Sequence, residues 1–216
     1  MKDFFIYGHT HHERLLTALS QHFTLVLTTL LLSIVLAALI TAALYKRPKV
    51  GEYVQASLSA LYSVPSLALF ALCIPLLGIG RSTAIVVLTA YNQFLLVRNF
   101  TAGLAEVDRG VIEAAQSLGF NRLQAFAYVQ LPLAAPVFIA GIRLAAISTI
   151  SIATIASLID AGGLGTLIFD GLRMRNLVLL LWATLLAAVL ALSANAALTW
   201  LERSFPHIRN KEKTNS

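Results

Sequence analysis

Charge is scarce in this chain. Asp, Glu, Lys and Arg make up 12% of its 216 residues, about half the share of an ordinary soluble domain. Cysteine occurs once, as Cys73 in an apolar run. That excludes a disulfide framework and a multi-cysteine metal site. None of the five lysines follows a glycine, so a phosphate-cradling loop ending in Gly-Lys-Ser/Thr is missing. Gly-x-Ser-x-Gly and His-Glu-x-x-His are missing too. The chain is therefore expected to be non-catalytic, with no cofactor and no metal of its own. No Asp or Glu lies deep in a long apolar run, so a charge-paired cation site inside the apolar part has no candidate carboxylate.

What the chain has instead is long apolar runs, with 58% of residues hydrophobic. A helix needs about 20 apolar residues to cross a bilayer. The runs predict an all-α, polytopic transmembrane bundle of about five spans. These are Phe23–Tyr45, Ala56–Leu77 (interrupted by Pro65 and Pro75), Thr83–Gly103, Leu133–Ile159 and Leu177–Leu201. A barrel is excluded, because its strands would be about ten residues of alternating polarity. The first run is too long for a signal peptide, whose apolar part spans about 7–15 residues. Lys46, Arg47 and Lys49 follow it, as behind a retained anchor. Placing the C-terminal tail on the side of the loops after spans one and three gives that side nine Lys and Arg, against five opposite. Positive charge favours the cytoplasm, so the N-terminus is expected outside and the C-terminus inside. Residues 1–22 form an extracytoplasmic segment, 23–201 the membrane domain and 202–216 a basic cytoplasmic tail. The net charge of +6 is then explained by topology, not by nucleic acid.

One cytoplasmic connection, 105–132, is polar, then amphipathic, and unusually long. Such loops commonly carry function. Val111, Ala114, Ala115 and Leu118 recur at helical spacing. Gly119 breaks that helix, Asn121 can cap a second one through Leu123, Phe126 and Val129, and Leu131-Pro132 is expected to stop it. The result is a bent elbow with a partly apolar face open to a partner.

Within the elbow, Glu113-Ala114-Ala115, three residues, Gly119, nine residues and Val129-Gln130-Leu131-Pro132 resemble the EAA loop of ABC importer permeases. The one departure is Val129 where that pattern has Ile. Ser63-Val64-Pro65-Ser66-Leu67, Ile74-Pro75-Leu76-Leu77-Gly78, Val97-Arg98-Asn99, Ala140-Gly141-Ile142-Arg143 and Ala161-Gly162-Gly163-Leu164-Gly165 are similar to the osmoprotectant branch, which imports glycine betaine, carnitine and choline. The methionine-importer permeases share the last glycine cluster. The resemblance implies a type I, MetI-like fold in a bacterial inner membrane. It also implies a second permease subunit, identical or paralogous, and a separate extracytoplasmic binding protein. ABC ATPase subunits would hold ATP and Mg and drive the pore through Glu113, Ala114, Ala115, Gly119, Val129, Leu131 and Pro132. Glu113 is a candidate to cap the helix start or to pair with Arg109 or Arg122. Alternatives are a permease for methionine or another nutrient, and a passive channel or membrane enzyme without an ATPase.

Several polar residues in the runs have two readings each. Tyr91, Asn92 and Gln93 either line a pore or bond neighbouring helices. Ser148, Thr149, Ser151, Thr154 and Ser157 either line it or support close packing. Arg143 must meet carbonyls, water or a carboxylate, and can serve as a gate or an inter-helix lock. Arg98, near a cytoplasmic end, is expected to snorkel. Gly162, Gly163 and Gly165 suit an outer gate segment or a plain turn. His9, His11, His12 and His22 have no metal-site spacing.

Overall fold

The computed structural model describes residues 2–205, all of it helix, turn or short connection. The basic residues Arg209, Lys211 and Lys213 lie outside the described residues. The helices, in chain order, are α1 (Lys2–Thr10), α2 (His12–Leu44), α3 (Pro48–Ser63) and α4 (Ser66–Leu77), then α5 (Arg81–Ala105), α6 (Arg109–Ser117) and α7 (Arg122–Ala125), and finally α8 (Leu131–Ala156), α9 (Leu164–Arg173) and α10 (Leu177–Arg203). Helices alone satisfy every backbone group within one segment, which a bilayer interior demands.

The helices α2 and α10, and the continuous stretch 122–159 that contains α8, are long and apolar enough to cross a membrane. The pair α3 and α4 joins them if counted as one broken span. Its break falls at Pro65, one of the two interruptions expected there, and the pair bends by 97°. The cause is Pro65. Proline removes a donor and pushes the residue before it out of the helical region, and Val64 is extended at φ −70°, ψ 133°. The Tyr91 hydroxyl donates to the freed Val64 carbonyl.

The helix α5 has the length to cross but is less apolar than the others. It can carry polar groups because it lies at the centre of the bundle, between α2 and α8, where neighbours satisfy them. Leu88, Leu96 and Val97 of this helix are buried, packed in clusters with Leu25, Ala37, Ala145 and Ile150. Outward faces stay apolar and exposed, as at Leu31, Val35 and Leu39 of α2 and Leu181, Val189 and Leu192 of α10. Water would penalise such stripes, and lipid tails do not.

The N-terminal boundary also differs from the sequence reading. The first long helix starts at His12, not near Phe23, because Leu15, Ala18 and Leu19 continue the helical apolar period into a cluster with Leu164 and Leu179. The preceding α1 folds back on α10. Phe4 stacks on Trp182 with ring centres 4.3 Å apart, and Trp182 Nε1 donates to the Phe4 carbonyl at 2.9 Å. Arg14 pairs with Asp170 at 2.6 Å, tying α2 to α9. The ring nitrogens of His11 and His12 meet backbone carbonyls of Tyr7 and His9.

Candidate functional site: the elbow and its anchors

The elbow is built by local rules that its motif spells out. Asp108 opens α6, its carboxylate accepting the Gly110 amide at 2.6 Å. Acidic N-caps satisfy an orphan donor and favour the positive end of the helix. This corrects the reading of Glu113 as a cap or ion-pair partner. Glu113 sits in the middle of α6, exposed, and joins neither ion pair found among the described residues.

The helix ends on Gly119, whose φ of +96° is in the left-handed region. Its amide donates to Gln116 O at 3.0 Å, and the Phe120 amide to Ala115 O at 3.2 Å. This pair of bonds is the Schellman closure, which wants glycine at the first residue past the cap. The fixed gap between the second alanine and the glycine therefore has a mechanical meaning. Ala115 supplies the carbonyl three residues inside the helix end, and Gly119 supplies the reversal. Two residues later Asn121 starts the next helix with a capping box. Its side chain accepts the Gln124 amide, and the Gln124 side chain accepts the Asn121 amide, both at 2.9 Å.

Beyond α7 the expectation of a stop at Leu131-Pro132 is overturned. The helix passes through residues 126–130 as a π-helical turn and continues straight into α8, with Pro132 in its first turn. Proline clashes with the carbonyl four residues back, and a wider turn just before it is how a helix absorbs such a defect. The elbow is thus rigidly continuous with a candidate membrane span, 38 residues from Arg122 to Ile159.

The residue that fastens this junction is one the sequence reading passed over. Gln130 occupies the position the motif leaves free. It is 5% exposed. Its Nε2 donates to Leu104 O at 3.1 Å, and its Oε1 accepts from the Tyr45 hydroxyl at 2.7 Å. One amide therefore joins the ends of α2 and α5 to the start of α8. An isolated amide in an otherwise apolar stretch was the available signal. Of the other motif residues, Ala115 is buried, Val129 half-buried, and Ala114, Gly119, Leu131 and Pro132 exposed. Leu118, Leu123 and Tyr128 present an apolar outer face, each more than two-thirds exposed.

The polar residues within the bundle are mostly engaged with neighbours. Asn92 donates to Ser33 Oγ at 3.1 Å and Thr149 Oγ1 at 2.9 Å, and accepts back from Thr149 at 3.0 Å. This links α2, α5 and α8 at one level. Tyr91 is tied to the α3–α4 bend. Ser148 is half-buried, and Ser151 and Thr154 bond back to carbonyls of their own helix. Arg98 lies with its guanidinium 5.9 Å from the Phe94 ring centre.

Arg143 takes the lock geometry. It donates to Thr199 Oγ1 at 2.8 Å, and its Nη1 lies 2.8 Å from the Glu202 carboxylate. Both side chains are mostly buried. Removing one partner of such a pair leaves a charge uncompensated, whereas removing both can be nearly neutral. Arg143→Met and Glu202→Gln are each expected to lower the thermal midpoint of the solubilised protein, by about 1–3 kcal/mol in stability. The Arg143→Met/Glu202→Met double variant should recover most of it. Additive losses in a thermal-shift series would refute the pairing.

The glycine segment folds onto α2 and α8. Gly162 and Gly163 have φ of +75° and +85°, and the Gly163 amide donates to Gln21 Oε1 at 3.1 Å. Gly165 is pressed against α8, where a methyl group would lie 1.9 Å from the Thr154 carbonyl oxygen.

A helical bundle with a bent elbow running into one of its long apolar helices is the architecture of an importer permease. The chain belongs to the family of binding-protein-dependent transport system inner membrane components, which matches residues 20–206. It is a transport subunit of the ABC importer class. It is 38% identical over 190 residues to the carnitine transport permease protein OpuCB of Listeria monocytogenes, covering 88% of this chain and 87% of that one. It is 33% identical over 194 residues to the choline transport system permease protein OpuBB of Bacillus subtilis, covering 90% and 89%. Among solved structures, the inward-facing MetNI methionine ABC transporter superposes with a TM-score of 0.81 at 22% identity, over 91% of this chain and 98% of that one.

Proposed function

We propose that this permease passes a small quaternary-ammonium solute of the carnitine, choline or glycine betaine kind across a bacterial inner membrane. The observation that carries the reading is the near full-length similarity to carnitine and choline permeases. A further relative, 38% identical over 164 residues that cover 76% of this chain and 30% of that one, is the ergothioneine transport permease/ergothioneine binding protein EgtU of Helicobacter pylori. Carnitine, choline, glycine betaine and ergothioneine share a trimethylammonium group. The methionine importer supports the fold alone. Since no carboxylate lies deep in the helices, selection by charge pairing falls to a separate binding protein outside.

In this reading α5 completes a five-span bundle with the N-terminus outside and the elbow in the cytoplasm. Two permease subunits, identical or paralogous, form the pore. ATPase subunits holding ATP and Mg dock on the exposed face of Leu118, Leu123 and Tyr128. Their closure pushes the elbow, and the elbow tilts α8, in the rigid-body manner of alternating access.

The test is uptake. Cells producing the chain with the ATPase and binding protein recovered by pull-down should accumulate radiolabelled carnitine, choline or glycine betaine. Accumulation of methionine with none of these three would overturn the substrate class. Activity recovered without any ATPase would overturn the coupling.

A further inference from the structure

We propose that a slot between α2 and α8, beneath the elbow, binds one anionic phospholipid of the cytoplasmic leaflet. The slot is a cavity of about 800 Å³, within the roughly 300–1,000 Å³ range of small-molecule sites. Its walls run from Ile34 on α2 to Lys46, just past the end of that helix, and from Leu131 to Ile142 on α8, with Phe100 and Leu104 of α5 and the inner side of the elbow closing it. At about 1.5 Å per residue, the α2 wall is about 18 Å long. That matches the depth of one leaflet of hydrocarbon, half of about 30 Å.

Charge is distributed along the slot as a phospholipid would require. Ile34, Phe138 and Ile142 line one end, and Lys46 and Arg122 line the other. No Asp or Glu lines it. Neither cation joins either of the ion pairs among the described residues. The nearby polar groups of Tyr45 and Gln130 are already bonded to one another. An acyl chain fits the apolar end, and a phosphate meets two unpaired cations at the mouth. A water-soluble ATPase on the elbow's outer face does not reach Ile34, a full leaflet inside. The acyl-chain-length apolar wall and the two cations at its mouth favour a lipid over a second permease subunit, and the assignment is independent of which solute the pore carries.

The test uses the complete importer, with ATPase and binding protein, in phosphatidylcholine nanodiscs. These are doped with phosphatidylglycerol or phosphatidylcholine carrying a photoreactive acyl chain. Crosslinked peptides are mapped by mass spectrometry. The phosphatidylglycerol probe should label residues 34–46 and 131–142 in clear preference to the phosphatidylcholine probe. The Lys46→Gln/Arg122→Gln variant should lower that labelling about ten-fold. Ala38→Phe, which narrows the slot and keeps both cations, should lower it as well. Equal labelling by the two probes, or labelling insensitive to loss of the two cations, would overturn the proposal. Failure of the phosphatidylglycerol probe to label the slot in the intact complex would also overturn it, as when a partner subunit fills the space.

Discussion

Gly165→Ala should lower the thermal midpoint of this protein by several degrees. The added methyl would stand 1.9 Å from the Thr154 carbonyl oxygen and 2.5 Å from Ser157 Oγ. The first obstacle is backbone inside a helix, so it cannot swing aside as a side chain can. Relief requires α9 to lift off α8, which strips Leu164 and Leu167 from their buried cluster. Overpacking of this kind costs about 1–3 kcal/mol and sometimes more, and a shift of 1.4 kcal/mol is already ten-fold in the folding equilibrium. The expected readout is a thermal midpoint lowered by about 2–12 °C, at about 2–4 °C per kcal/mol for a chain of this size. Gly51→Ala is the control, because a methyl there meets nothing within 4 Å. An unchanged thermal midpoint for Gly165→Ala would mean that α9 does not pack as described.

Gly119→Val should do the opposite: leave folding intact and remove transport. A side chain at Gly119 has open space around it, so no clash spreads into the bundle. The obstacle is conformational. Its φ of +96° is costly for any residue with a Cβ and worst for a branched one. The local remedy is to give up the Schellman closure, which changes the angle between α6 and α7 and with it the face on which we propose the ATPase docks. Uptake is expected to fall at least ten-fold while membrane insertion and complex assembly persist. Gly119→Asn should be milder, since Asn tolerates the left-handed region. Wild-type uptake by the valine variant would show that the bend does not transmit force.

The elbow was legible in the sequence because its determinants are local. Gly119 at the reversal and Asn121 at the next cap act within five residues of themselves, and both stand where the spacing put them. The readings that failed depended on competition or distance. Asp108 outcompetes Glu113 for the cap because it precedes the helix and Glu113 lies inside it. Pro132 reads locally as a stop, yet a π turn just before it lets the helix continue. Gln130 was missed because its partners, Tyr45 and Leu104, are far away in sequence. The early start of α2 depended on Leu164 and Leu179, which only the fold brings near. The polar character of α5 pointed equally to a channel wall and to inter-helix bonding, and the Asn92 bonds to Ser33 and Thr149 could not be foreseen from one helix.

The unbroken run from Arg122 to Ile159 also sets a mechanical gain. At about 1.5 Å per residue, the rod is about 57 Å long. Pivoted near its foot at the elbow, a tilt of about 5° would sweep the far tip through about 5 Å. That is the width of a small solute, produced by a nudge too slight to break any of the bonds at the foot. A hinge placed in the middle of the rod would forfeit half of that stroke.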